Sequence, residues 1–344
     1  MTQLHNRQLY LHQRPVGVPT EEDIRMRTVL VPDLQEGEVL IENHYLSLDP
    51  AIRDWMSDND SYLEPIPLGG CIRSTTLGKV LKSNHSAFSE GDYVQGLAVN
   101  GWEELTVNHG DLLTQVPNDG NYSPRNYLSI FSGAMGLTPY FGLLELGQPV
   151  EGDTVLMSAA AGAVGSIAGQ IAKIKGCRVV GLTGNAEKAS WLTDTLGFDA
   201  AINYKTCDNL ADEIARVCPE RVDIFYDNVG GDMLDAALLN LNDHARVVFC
   251  GAISTYNSSG SVPGPYNYWQ ILARSATVKG LLTTNYVDRF DDAIAEIKTW
   301  LEQGKLIFNE DIVEGLENTV EAYSRLFSGA NKGKLLVKLA AADC

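Results

Sequence analysis

Long apolar runs are missing from this chain of 344 residues, and so is any excess of positive charge. No stretch is long and apolar enough for a bilayer-spanning helix, which needs roughly 20 such residues. Basic residues number 26 against 44 acidic ones, a formal charge of −18. Such a surface repels phosphate backbones and anionic membranes, which argues against nucleic acid or a membrane as a partner. An anionic ligand would have to be held by a local cluster of donors. The opening, MTQLHNRQLYLHQRP, is polar and lacks the apolar core of a signal peptide, so a cytoplasmic protein is expected. Cys71, Cys177, Cys207, Cys218, Cys250 and Cys344 form no C-x-x-C pair and read as reduced structural thiols. Solenoid-type repeats and low-complexity segments are absent too.

What is present is a change of rhythm. Up to about residue 125 the chain reads as β-rich, with strand candidates RQLYLH (7–12), EVLIENHYLSL (38–48), LGKVLKSN (77–84), YVQGLAV (93–99) and WEELTVN (102–108). Turn residues punctuate them at short intervals, as in a barrel or sandwich. From about 126 short apolar runs alternate with helical patterns: TVLMSA (154–159), CRVVGLTG (177–184), AAINY (200–204), VDIFYDNVG (222–230), ARVVFCGA (245–252) and ATVKGLL (276–282). Strands buried on both faces and alternating with helices predict a doubly wound parallel sheet, an α/β class. FDDAIAEIKTWLEQG (290–304) reads as an amphipathic helix closed by Gly304. The tail from about 305 holds two short strand candidates around a helix (317–327) and is expected to pack back on the first domain.

The segment SAAAGAVGSIAGQIAKIKGCRVVG (158–181) carries the first chemical signal. A strand ends at Ser158–Ala159, and a helix begins near Ala163 with Val164, Ile167, Ile171 and Ile174 on one face. Gly162 lets backbone N–H groups approach a pyrophosphate at the helix start, and Gly165 lets the helix pack close to the strand. Ala160 stands where the usual G-x-G-x-x-G pattern has a glycine. The strand–turn–helix frame, with Gly176 closing the helix, supplies the context that the glycines alone lack.

The end of the next strand lacks an acid. A site for the non-phosphorylated cofactor needs Asp or Glu there for the ribose 2′-hydroxyl. Thr183, Gly184 and Asn185 stand instead, Lys188 follows one helical turn on, and Tyr204-Lys205 follows the third strand. A missing carboxylate and nearby lysines favour a 2′-phosphate, hence NADPH.

With that turn in place the chain resembles the medium-chain dehydrogenase/reductase superfamily. Within it, the match is to the zinc-free branch of leukotriene/prostaglandin reductases, plant alkenal double-bond reductases and bacterial curcumin reductases. The resemblance covers nearly the whole chain. It is carried by LSLDPAIR (46–53), SGAMGLTPYFGLLE (132–145), the glycine turn, YDNVGG (226–231), CGAISTYN (250–257) and NKGKLLVK (331–338). It implies a GroES-like β-barrel domain plus a Rossmann domain. Residues 1–125 would begin the first, 126–304 would bind NADPH, and 305–344 would return to the first.

Residue by residue, the resemblance places Met135 and Thr138 by the nicotinamide, and Gly162, Ala163, Val164 and Gly165 on the pyrophosphate. Thr183, Gly184, Lys188 and Tyr204 fall around the adenosine phosphate. Asn228, Val229, Cys250, Ala252, Ile253 and Ser254 line the cofactor groove. Leu281, Leu282 and Thr283 pass near the carboxamide, and Asn331 reaches the cofactor from the tail. Tyr256 matches a tyrosine usually given a catalytic role. The resemblance also implies a homodimer through the edge strands of the Rossmann sheets. Two departures concern the substrate: Ala51 stands where the family often has tyrosine, and Asn285-Tyr286 replaces an acid–tyrosine pair.

Zinc requires thiolate, imidazole or carboxylate ligands at usable spacing. The G-H-E segment and four-cysteine cluster of the zinc-bearing relatives are both missing, and His44 sits within an alternating strand as a structural histidine. No metal is expected.

The expected reaction is NADPH-dependent reduction of a C=C bond conjugated to a carbonyl, with hydride to the β-carbon and a proton to the α-carbon. Donors must face the carbonyl oxygen as it gains charge. The nicotinamide ribose hydroxyl and the phenol of Tyr256 are the candidates, with wall packing the other reading of Tyr256, and the α-carbon would take its proton from a hydroxyl or water. The loop STYNSSGSVPGPYNYWQI (254–271) looks like a substrate-facing lid. Tyr62, Tyr266 and Tyr268, with Trp269, would suit a flat enone, and packing against the core or a second subunit is their alternative role. Two rival functions remain: an NADPH quinone reductase of the same superfamily, and a non-enzymatic NADPH-binding sensor.

Overall fold

The structure, a computed structural model, describes residues 3–339 apart from positions 60 and 259, and the side chains of 97–100 are likewise outside the description. Cys344, expected as a reduced thiol, lies outside the described residues. The chain forms two compact units. One comprises residues up to 130 with 310–331 and 335 onward, and the other comprises 131–309 with 332–334.

The first unit contains β1 (His5–Leu11), β2 (Ile24–Leu30), β3 (Glu38–Ser47), β4 (Arg73–Ser83), β5 (Tyr93–Gly101), β6 (Leu105–His109) and β7 (Leu113–Val116). The second contains β8 (Thr154–Met157), β9 (Arg178–Thr183), β10 (Ala200–Asn203), β11 (Val222–Asp227), β12 (Leu241–Phe249) and β13 (Thr277–Gly280). The tail adds β14 (Glu310–Glu314) and β15 (Lys334–Lys338) around a helix, Thr319–Ser328.

In the first unit β1 and β2 pair as an antiparallel ribbon, and a larger sheet runs β14-β15-β3-β4-β5-β7 with β6 on β3. The tail therefore extends the sheet beyond β3: Leu336 pairs with Ser47 and Lys338 with Tyr45. A polar pin holds the return in place. Arg125 Nε donates to Glu310 at 2.7 Å and Nη1 donates to the Tyr45 hydroxyl at 3.2 Å. Trp102 and Tyr323 meet edge to face in the core, 5.3 Å between ring centroids. Strands β2 and β7 lie outside the expected set, and each pairs antiparallel with a neighbour, β1 and β5.

The second unit is a parallel sheet in the order β10-β9-β8-β11-β12-β13. The order reverses between β8 and β11, so a crevice opens at their carboxyl ends. β8, β9 and β11 are largely buried and apolar because both faces are covered, whereas β12 carries exposed Asp243 and His244 near its start. β13 corrects one expectation: its four residues are all exposed, and among the described residues it is an edge strand paired with β12. Phe290–Glu302 is helical, as its spacing predicts: Ala293, Ile297 and Trp300 are buried along one face. Asp291 and Asp292 favour its start, and Gly304, with φ +64°, ends it.

Candidate active site

The glycine turn lies at the crevice. β8 is buried throughout, and Ser158 extends it by donating its N–H to the Tyr226 carbonyl at 3.1 Å. Ala159 then takes φ +47°. That conformation costs a non-glycine residue about 1 kcal/mol or more. The surrounding bonds impose it: Ala160 N–H donates to Leu182 O at 3.1 Å, and Gly162 N–H donates to Ala159 O at 2.9 Å. Gly162 precedes the helix Ala163–Ile174, whose first N–H groups point toward the turn. A Cβ on Gly165 would lie 2.5 Å from the Ala159 carbonyl oxygen, so only glycine permits this helix–turn approach. The helix is buried from Gly165 to Ala172, which includes Ile167 and Ile171 of the predicted face, while Val164 and Ile174 at its ends are only partly buried.

At the end of β9 the structure gathers Thr183, Gly184, Tyr204 and Lys205. Thr183 is in register with Asn203, and Tyr204 N–H donates to Thr183 O at 3.1 Å. A Cβ on Gly184 would lie 3.0 Å from the Tyr204 hydroxyl and 3.2 Å from Lys205 Cε. Burial pushes the Tyr204 phenol above its ordinary value, so it stays protonated and able to donate. The Asn185 side chain caps the next helix by accepting from Lys188 N–H at 2.8 Å, which places Lys188 in its first turn.

A third wall comes from β11 and β12. Asn228 N–H donates to Ser158 Oγ at 2.7 Å, and its side-chain amide donates to Ser158 O at 2.8 Å. Val229 O accepts from Ser254 Oγ at 2.6 Å and Ser254 N–H at 3.2 Å, and Asn228 O accepts from Ile253 N–H at 3.4 Å. The Tyr256 hydroxyl accepts from Ala252 N–H at 3.3 Å. Asn228, Val229, Ala252, Ile253, Ser254 and Tyr256 thus form one continuous rim. Cys250 joins it through its N–H, which donates to Asp227 O at 2.8 Å, and burial pushes its thiol up to about 12. Ser158 and Asp227 were missed as site residues. Asp227 was visible inside YDNVGG, but nothing local marked it as the acceptor for a residue on another strand.

Near by, Thr138 Oγ1 and Thr283 Oγ1 are 2.5 Å apart, and the Tyr226 hydroxyl donates to Thr138 O at 3.2 Å. Met135 is buried, and Leu281 N–H donates to Phe249 O at 2.9 Å, with Leu282 following at the surface. Asn331 is buried in the first unit. Tyr62 lies edge-on to Trp55 and is 57% exposed. Tyr266 and Tyr268 are 78% and 66% exposed, in a loop tied to the helix Gly231–Leu239 by Asn267 N–H donating to Asp235 at 2.8 Å. His44 is buried, its ring edge-on to Tyr93 at 5.7 Å. Among the described residues no three His, Cys, Asp or Glu side chains gather where they could hold a metal ion.

A parallel sheet with a glycine turn at its switch point defines the dinucleotide-binding class of oxidoreductase folds. Residues 7–116 match the family model described as the N-terminal domain of oxidoreductase, and residues 163–299 match the one described as zinc-binding dehydrogenase. The chain is 38% identical over 98% of its length to NADPH-dependent curcumin reductase of Escherichia coli, covering 98% of that protein. It is 35% identical to the NADP(+)-dependent 2-alkenal reductase of Nicotiana tabacum, over 97% of this chain and 98% of that one. The crystal structure of CurA from Vibrio vulnificus in complex with NADPH superposes with a TM-score of 0.91 at 39% identity, over 97% of this chain and 99% of that one. The chain belongs to the medium-chain dehydrogenase/reductases, in the branch of curcumin, alkenal and prostaglandin reductases.

Proposed function

We propose that the protein reduces the C=C bond of α,β-unsaturated ketones and aldehydes with NADPH. The observation that carries this is the end of β9. There, neutral Thr183, Gly184 and Asn185 take the place of an acid, with Tyr204 and Lys205 packed on Gly184. That set suits a 2′-phosphate and would oppose nothing to it. The relatives named above act, by their names, on curcumin and 2-alkenals, both carbonyl-conjugated alkenes.

The residues fit the cofactor: Gly165, lacking a Cβ, lets the helix pack against the turn, and the helix start presents N–H groups that suit a diphosphate. Bound NADPH supplies the hydride. Gly162, Ala163, Val164 and Gly165 would hold the diphosphate, and Thr183, Gly184, Lys188, Tyr204 and Lys205 the 2′-phosphate end. Asn228, Val229, Cys250, Ala252, Ile253 and Ser254 would wall the groove. Met135, Thr138, Leu281, Leu282, Thr283 and Asn331 would position the nicotinamide half. Tyr256 would donate its phenolic proton in a hydrogen bond to the substrate carbonyl oxygen, which gains charge as the β-carbon is reduced. Tyr62, Tyr266 and Tyr268 would bound the substrate. The test is NADPH consumption over alkenals, chalcone-like dienones and quinones. Turnover confined to quinones, or none with any acceptor, would sink the enone reading.

A homodimer through β13 completes the proposal. The edge strand leaves Val278 exposed, and Trp269 and Leu272 of the preceding helix, Trp269–Ala273, are more exposed still. An unpaired apolar edge is a template for a second copy. Sedimentation of the wild type and of Val278→Lys tests this: a wild-type monomer would refute it.

A further inference from the structure

We propose that Asp227 is a positioning residue for the cofactor: its buried carboxylate ties Ser158 to the 228–230 turn, fixing the groove in which the nucleotide lies. The inference rests on the reading of this groove as the NADPH site.

Asp227 ends β11, next to β8 across the point where the strand order reverses. It is fully buried. Its Oδ1 accepts three hydrogen bonds: from Ser158 Oγ at 2.9 Å, Val229 N–H at 3.0 Å and Gly230 N–H at 3.0 Å. Ser158 in turn accepts from both the backbone and the side chain of Asn228. The Asp227 backbone carbonyl accepts from Cys250 N–H at 2.8 Å and Gly251 N–H at 3.1 Å. One residue therefore joins the entrance to the glycine turn, the Asn228–Gly230 turn and the start of the loop that leads to Tyr256.

The second oxygen, Oδ2, is buried and accepts no hydrogen bond among the described residues. A buried carboxylate oxygen left unpaired is costly. If the fold needed only a turn acceptor here, asparagine would serve without bringing a charge inside. Burial indeed pushes the carboxyl above its ordinary range, opposed by the three donors on Oδ1. A charged acceptor binds its donors more tightly than a neutral one, and the gain is rigidity of the two turns. A rigid groove matters most for the ligand it is shaped to receive.

The experiment compares wild type, Asp227→Asn, Ser158→Ala and the double variant. NADPH dissociation constants come from cofactor fluorescence, kcat and KM from one alkenal, and melting temperature from each protein. Asp227→Asn is expected to raise the NADPH Kd about 5–20-fold and Ser158→Ala about 2–5-fold. The alkenal KM should move less than about twofold, since the groove and not the substrate pocket is disturbed. The double variant should lose less than the product of the single effects, as members of one network do. A folded Asp227→Asn or Ser158→Ala protein with wild-type NADPH affinity overturns the proposal, whatever its melting temperature. If Asp227→Asn does not fold, Ser158→Ala decides in the same way. A wild-type protein that does not bind NADPH overturns the cofactor reading itself, and this proposal with it.

Discussion

Gly333 lies parallel to Gly162, and its N–H donates to the Ala161 carbonyl at 3.0 Å. The tail thus touches the glycine turn itself. Gly333 has φ +72°, and a Cβ there would lie 2.2 Å from the Asn309 carbonyl oxygen. Gly333→Ala should therefore lower stability by about 1–3 kcal/mol through backbone strain and displacement. It should also weaken NADPH binding. Thermal unfolding and cofactor titration of the variant check both, and wild-type values in each would show that the contact is incidental.

Gly162 and Gly165 should respond differently to alanine. At Gly165 the new Cβ would meet the Ala159 carbonyl at 2.5 Å, a backbone atom that cannot yield cheaply. At Gly162 the nearest atom is the same oxygen at 3.2 Å, and φ is −80°. Gly165→Ala should cost about 1–3 kcal/mol of stability, as overpacking does, whereas Gly162→Ala should leave stability nearly unchanged and weaken NADPH. Equal melting temperatures for the two variants would contradict this account.

Cofactor choice gives a third expectation. Lys188→Ala and Lys205→Ala should each weaken NADPH by about 1–3 kcal/mol, the range for a lost charge-assisted bond. NADH affinity should barely change. Equal loss with both cofactors would place these lysines away from the 2′-phosphate.

Tyr256 accepts a hydrogen bond from Ala252 N–H at 3.3 Å. Accepting and donating are separate capacities of one phenol. If it donates to the substrate oxygen, Tyr256→Phe should lower kcat by about 10–1000-fold. KM should move less, because that bond strengthens as charge develops. An unchanged kcat in the Phe variant, with KM raised in Tyr256→Ala, would make it a wall residue.

Asp199 supplies a pH signature. Burial alone would raise its carboxyl, but Lys173 at 2.8 Å and Val179 N–H at 2.7 Å hold it below the ordinary value. A depressed folded pKa contributes stability above the unfolded pKa of about 3.9, and the contribution is lost as pH falls through the folded value. Since the pair is partly exposed, Asp199→Asn should cost no more than about 1 kcal/mol at pH 7. The deficit should shrink below about pH 4. Urea unfolding of both proteins at neutral and acid pH measures it, and a deficit independent of pH would rule out the ion pair as its source.

Much of this was legible locally. Apolar runs alternating with helical patterns specified the parallel sheet, because strands buried on both faces leave no polar face to write. The spacing of Ala293, Ile297 and Trp300 specified a helix, and Gly304 its end. The absence of an acid after Thr183 pointed to NADPH, since a carboxylate at that position of the fold would repel a 2′-phosphate. Those signals repeat within a few residues, which is the range over which sequence periodicity works.

Contacts between distant positions were decided by the tertiary structure alone. No local pattern assigns a left-handed backbone to Ala159, which is held there by hydrogen bonds around the turn. Nothing beside Gly333 in the sequence sends its N–H to Ala161. Asp227 looked like the end of a strand, and only the pairing of β11 with β8 brings Ser158 to its carboxylate. Sequence wrote the elements because their hydrophobic period is local. The groove they enclose exists only once β8, β11 and the tail are side by side, because the bonds that join its walls, Ser158 to Asp227 and Asn228 and Gly333 to Ala161, link residues the chain holds far apart.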